Sequence, residues 1–410
     1  QPNGHNVDAA KDRRATKRAL VLDLCTPTPD RDSGSIDAYN WMLILREMDF
    51  QVTFIPEDNF LYMPPYTQDL QRIGVEVLYA PFTASVKEHL IEHGRRYDLV
   101  FLFRVAVVQR NLSDIRRYCP AARILFNTVD LHYLRLEREA LLEKDDQKMQ
   151  FARDLKKLEY DAIRSVDAAT VVSAEEHRGL REALPDAPLH LLPFTRHIEG
   201  PSAMFRQRRD IVFVGGFKHP PNTDAVLWFA SAVFPKLKDR LPDVRFYIVG
   251  ADPPPEVQKL AGPDRIVTGF VQDLSSLLGQ MRVSVAPIRY GAGIKGKIGT
   301  ALAAGLPVVA TSAAAEGMNL VDGRDALIAD DPDEFALKIE KLYCDERLWR
   351  RISESGLAFA RGAWGADQGW RNLETILRTL GFESVSPRYP LKLYTESLAS
   401  RQPFQASVTT

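Results

Sequence analysis

The chain has 410 residues, 45% of them hydrophobic and 26% charged, with 53 Lys and Arg against 54 Asp and Glu. That length predicts two domains, each able to bury its own core, and a formal net charge of −1 excludes a molecule that gathers nucleic acid by overall charge. Cys25, Cys119 and Cys344 are far apart and form no CxxC or Cys/His spacing; they read as buried free thiols in a reducing cytoplasm, and the scattered histidines predict no structural zinc.

Residues 1–17 are polar and basic, without the apolar core of a secretory signal, and are expected to be a disordered or basic arm. Apolar runs then follow: "RALVLDLC" (18–25), "QVTFI" (51–55), "VEVLYA" (75–80), "DLVFLF" (98–103), "ARILFN" (122–127), "AATVVS" (168–173) and "LHLLPF" (189–194), separated by amphipathic stretches. Continuous apolar strands between helices predict a parallel sheet covered on both faces, here over residues 18–200. The stretch 195–209 lacks apolar periodicity and reads as a linker. The same grammar returns in "DIVFVGG" (210–216), "VRFYIVG" (244–250), "RIVTGF" (265–270), "VSVAP" (283–287), "LPVVAT" (306–311) and "ALIAD" (326–330), giving a second domain over 205–365. Residues 366–382 read as a closing helix that could cross back to the first domain. Residues 383–410 read as a tail in which "LKLY" could add a strand. No stretch of eighteen apolar residues spans a membrane.

The expected architecture is α/β: two Rossmann-like, doubly wound parallel-sheet domains facing across a cleft. Ligands of such sheets bind outside the carboxyl ends of the strands, so two substrates can meet at the seam. The stretch "YGAGIKGKIGTALAAGLPVVAT" (290–311) reads as a glycine-rich loop opening a helix. Gly291 and Gly293 allow close backbone approach, and the helix start offers amides to an anion. Lys295 and Lys297 lie two apart and point in different directions; Lys295, nearer the glycine turn, is taken as the anion contact. No Ser or Thr follows the lysine as a triphosphate loop requires, and no acidic residue follows as a dinucleotide site requires. The loop by itself also fits a surface turn with solvated lysines.

Four segments, "FVGGFKHPPNTDAVLWF" (213–229), "VRFYIVGADPP" (244–254), "VTGFVQDLSSLLGQMRVSVAPIRYGAGIKGKI" (267–298) and "ALAAGLPVVATSAAAEGM" (301–318), occur in one order. Together they resemble the nucleotide-binding domain of retaining GT-B glycosyltransferases of family 4, the glycosyl transferases group 1. The first half, through "PTPDRDSGSIDAYNWMLILREMDFQVTFIPED" and "NTVDLHYLRLEREA", more loosely resembles bacterial members that build surface polysaccharides, including rhamnosyltransferase-like ones.

The resemblance implies a hexosyl- or deoxyhexosyltransferase. Its donor is a nucleoside-diphosphate sugar, with no further cofactor and no metal required, and its acceptor is a glycan or lipid-linked. Retention of configuration, a cytoplasmic location and no nucleic-acid partner go with it. By resemblance, Lys295 with the Gly291 and Gly293 loop neutralises the diphosphate. Lys218, beside Gly216, takes a weaker share, and Gly250, Phe270 and Val271 lie against the base. Ser33, Gly34 and Ser35 face the donor phosphates, although Ser33 or Ser35 could simply cap the next helix. His132 contacts the donor sugar, with Asp130 as runner-up; alternatively Asp130 caps the helix at 131–143 and His132 is a surface residue. Many members carry two glutamates eight positions apart, but Ala292 and Thr300 stand there. Glu316 is the nearest substitute, unless it is a capping or solvated glutamate.

Two rivals remain at this point. One is a nucleotide-sugar-binding or scaffold protein that has lost catalysis. The other is a hydrolysing sugar-nucleotide epimerase, which needs several cleft carboxylates where "NTVDLH" offers few. Basic residues beside apolar ones at 95–97, 110–118 and 154–164 would suit peripheral contact with an anionic membrane at its inner face.

Overall fold

The structure is a computed structural model and describes residues 17–58, 60–384, 386 and 391–395. The arm at 1–16 lies outside the described residues. The first domain holds a seven-stranded parallel sheet: β1 (Lys17–Asp23), β2 (Phe50–Pro56), β3 (Glu76–Val77), β4 (Leu99–Phe103), β5 (Arg123–Asn127), β6 (Ala168–Val171) and β7 (Leu189–Leu191), in the order β3-β2-β1-β4-β5-β6-β7. The second holds six parallel strands: β8 (Arg209–Val214), β9 (Phe246–Val249), β10 (Arg265–Gly269), β11 (Met281–Ala286), β12 (Val308–Ala310) and β13 (Leu327–Ile328), in the order β10-β9-β8-β11-β12-β13. This is the GT-B architecture.

Strand periodicity explains the layering. Along β1, Ala19 and Val21 enter one apolar cluster with Trp41, Met42 and Ile44 of the helix Ser33–Glu47, while Leu20 and Leu22 enter another with Val107, Val108 and Ile163. Successive side chains point to opposite faces, so a strand apolar at every position requires helices on both sides. The second domain has its own cluster, built on Phe213, Phe229, Phe246 and Val285.

The helix Ala366–Thr379 joins the first domain: Trp370, Leu373, Ile376 and Leu377 are buried in the cluster of Trp41 and Met42. "LKLY" forms no strand. Leu391, Leu393 and Tyr394 instead pack into that same cluster, and the Tyr394 amide donates to Asn40 Oδ1 at 2.8 Å. That part of the expected tail is therefore core, because its apolar side chains cover Tyr39 (ring centroids 5.4 Å apart). Of the three free cysteines only Cys119 is buried; Cys25 is half-buried and Cys344 exposed. The described residues hold no helix long and apolar enough to cross a membrane.

Candidate functional site

Strand order reverses between β1 and β4 in one sheet and between β8 and β11 in the other. Crevices for ligands open at such reversals, beyond the carboxyl ends of the strands. The glycine loop follows β11, and the loops after β1, β5 and β6 face it.

That loop is not a surface turn; it is docked on the first domain. Gly293 has φ +65, a conformation that favours glycine, and a Cβ there would lie 3.3 Å from Asp130 Cβ. Its amide donates to Glu176 Oε1 at 2.7 Å. The Gly291 carbonyl accepts from Arg138 Nη1 at 2.6 Å, and Arg138 Nη2 bonds Glu316 Oε1 at 2.9 Å. A Cβ on Gly296 would collide with the Ser33 hydroxyl. The first anion on the loop is thus the protein's own carboxylate.

Both lysines are held inside. Lys295, 8% exposed, donates to the carbonyls of Ala292 at 3.0 Å and Gly293 at 2.8 Å. Burial lowers it to about 8, against the pull of Glu176 and Glu316. Lys297 is half-buried by area, but its ammonium end is enclosed. It donates to Asn222 Oδ1 at 2.6 Å and lies 5.0 Å from the Phe213 ring centroid. Burial, then repulsion from Lys295, lowers it to about 7. Two buried ammonium groups side by side are costly without an anion between or beside them.

Asp130 and His132 form an ion pair, Nε2 to Oδ1 at 2.8 Å. Burial alone would raise Asp130, but the His132 bond and charge, with Arg135, hold it at about 2. Burial works against the imidazolium, and the same bond outweighs it and raises His132. Asp130 is no helix cap. Leu131 occupies the N-cap of His132–Glu143, and buried Glu159 accepts from the His132 amide at 2.9 Å and the Tyr133 amide at 3.2 Å. Neither serine caps its helix: Asp32 is the N-cap, accepting from the Ser35 amide at 2.8 Å, while Ser33 Oγ accepts from Arg196. Gly34 faces Val129 and Arg104. Glu316 is neither solvated nor purely a cap, because Arg138 of the opposite domain claims it.

The remaining positions are less central. Lys218 extends to solvent beside Asp252 at 3.4 Å. A Cβ on Gly216 would approach the Arg31 carbonyl at 3.4 Å, and one on Gly250 would strike the Gly215 carbonyl. Phe270 is 43% exposed with the Arg31 guanidinium 5.8 Å from its ring centroid, and Val271 packs against the second core. Glu176, Arg138, Arg196 and Asn222 went unnoticed in the sequence. Only Glu176 had a local signal: Ser173 caps the helix Ala174–Ala183 at the end of β6, accepting from the Glu176 amide at 3.4 Å. Among the described residues, no group of three or more His, Cys, Asp or Glu could hold a metal ion.

Residues 208–345 match the family model described as Glycosyl transferases group 1. No curated protein matches the chain. In structure, the chain is similar to sucrose-phosphate synthase from Thermosynechococcus elongatus, with TM-score 0.66 and 15% identity, covering 89% of this chain and 99% of that one. It is also similar to HepE from Anabaena in complex with UDP and glucose, with TM-score 0.64 and 16% identity, covering 88% and 100%. A third likeness is to S. aureus TarM, with TM-score 0.58 and 13% identity, covering 72% and 57%.

Proposed function

We propose, from the match of residues 208–345 to the Glycosyl transferases group 1 model and from the GT-B fold, that the protein moves a hexosyl or deoxyhexosyl group from a nucleoside-diphosphate sugar to a glycan or lipid-linked acceptor. The observation that carries this is the pair of enclosed lysines at the start of the helix Gly296–Ala303, lowered in pKa by burial, beside a glycine loop that meets the first domain. A diphosphate there would restore both charges. The leaving diphosphate would be stabilised by Lys295, Lys297 and the helix start, in a site that domain contact keeps from water. The His132–Asp130 pair at the end of β5 would lie on the sugar side. Retention by front-face departure, with the leaving oxygen taking the acceptor proton, belongs to the same reading and rests on the resemblance.

Anionic membrane contact belongs to the same proposal. The helices His132–Glu143 and Asp146–Arg164 leave Leu141, Leu142, Phe151 and Leu158 exposed, among lysines and arginines.

One observation favours a second reading. The cleft holds more carboxylates than "NTVDLH" suggested, since Asp130, Glu176 and Glu316 all act on Lys295. A hydrolysing sugar-nucleotide epimerase needs such groups. The test is to incubate the protein with a panel of nucleoside-diphosphate sugars, with and without saccharide and polyprenyl acceptors. Diphosphate release that depends on acceptor supports transfer. Free sugar released at the same rate without acceptor supports the epimerase, and no turnover of any donor supports the binding-protein rival.

A further inference from the structure

The loop that should meet a phosphate is met from across the cleft by a carboxylate. Glu176 is 5% exposed. One oxygen accepts from the Gly293 amide at 2.7 Å, while the other, Oε2, makes no hydrogen bond. An acceptor left unpaired in a buried site costs stability, so the position is not explained by packing. Burial raises the Glu176 carboxyl to about 7, with the Gly293 and Leu131 amides and Lys295 favouring its charged form and Asp130 opposing it.

Gly293 joins two chemistries. Its N–H goes to Glu176, and its C=O accepts from Lys295 at 2.8 Å. Anion-binding and acceptor-bearing groups therefore flank one residue, on the amide and carbonyl sides of a single Cα. A donor molecule has the same adjacency, with an anionic phosphate bonded directly to a neutral ring of hydroxyl donors. A carboxylate repels the phosphate and accepts from the hydroxyls. The loop itself offers no acidic side chain there, because Ala292 precedes Gly293.

We propose that Glu176 is a sugar-reading residue, its unpaired Oε2 accepting hydrogen bonds from hydroxyl groups of the donor's sugar ring. This rests on the function proposed above and adds which wall of the cleft selects the sugar: the first domain, not the nucleotide-binding one. Glu176→Gln separates the two oxygens' roles, since an amide keeps an acceptor for the Gly293 N–H but puts a donor where Oε2 stands.

The experiment is calorimetric titration of wild type, Glu176→Gln and Glu176→Ala with UDP and UDP-glucose, GDP and GDP-mannose, ADP and ADP-glucose, and dTDP and dTDP-rhamnose. For the pair that wild type binds, Glu176→Gln should weaken the sugar conjugate about tenfold or more, the loss of a charge-assisted bond. The parent diphosphate should change less than twofold. Equal weakening of both ligands, or full retention of conjugate affinity by Glu176→Gln with loss only in Glu176→Ala, would overturn the assignment in favour of a structural tie to the loop. Wild type that binds none of the eight would overturn the proposed function and this inference with it.

Discussion

At the residue scale, burial has moved Lys295, Lys297 and Glu176 towards neutrality, while the Asp130–His132 pair stays charged. Lys297 at about 7 and Lys295 at about 8 are partly deprotonated near pH 7–8 in the free protein. A bound diphosphate favours their charged forms, so the complex holds more protons than the free protein. By linkage, affinity must then fall as pH rises through 7–9, by up to about tenfold per pH unit for each proton taken up. Titration of a nucleoside diphosphate at pH 7, 8 and 9 checks this, and Lys297→Ala should flatten the slope as well as weaken binding. A pH-independent affinity would show that neither lysine meets the anion. The residues that answer one another here were hidden in the sequence for a simple reason. Glu176 and Gly293 are 117 positions apart, Arg138 and Glu316 178, and Ser33 and Arg196 163. Local pattern carries no information about such pairs.

At the element scale, the helix Ala366–Thr379 is a C-terminal segment serving the N-terminal core. Trp370, 2% exposed, packs in the cluster of Trp41 and Met42. Trp370→Ala should destabilise the first domain by about 3–5 kcal/mol, read as a lower denaturation midpoint; a shift under about 1 kcal/mol would mean the helix is only laid on the surface. The hairpin of His132–Glu143 and Asp146–Arg164 carries the membrane part of the proposal. Phe151→Asp should bring co-sedimentation with phosphatidylglycerol vesicles to background, and wild type already at background would end that part. The central strands are legible because each carries a continuous or nearly continuous apolar run between helices. The edges are not. "VEVLYA" pairs only at Glu76 and Val77, since an edge strand has one neighbour and its length is set by that neighbour. Helix caps are not legible where a neighbouring side chain, or one in another helix, takes the role, as Asp32 and Glu159 do.

At the scale of the whole molecule, the two domains meet through the site itself. Arg196 bonds Asp37 and Ser33, and its own amide donates to the Trp364 carbonyl at 2.8 Å. The seam also holds a cavity of about 80 Å³ lined by Ile36, Arg196, Thr300 and Tyr394 among others, and by neither Lys295 nor Lys297. The glycine loop itself is closed against the first domain by Glu176, Arg138 and Ser33, so donor binding there requires the walls to part and close again. Gly296→Val places a side chain against Ser33 and should hold the domains apart, giving a larger radius of gyration in solution scattering than wild type. An unchanged radius would mean the contact is not what closes the cleft. The two-domain plan was readable because the strand–helix grammar repeats. The closed state was not, because it depends on glycines at 293 and 296 having no side chain.

The most direct measurement is thermal stabilisation by UDP, GDP, ADP and dTDP, of wild type and of the Lys295→Ala/Lys297→Ala double variant. The expected result is a rise of several degrees in wild type for one nucleotide at about a hundred times its dissociation constant, where binding adds about 2.7 kcal/mol. That rise should vanish in a double variant that still unfolds cooperatively. No rise with any of the four, or an equal rise in the variant, would contradict the claim that this lysine pair holds a nucleoside diphosphate.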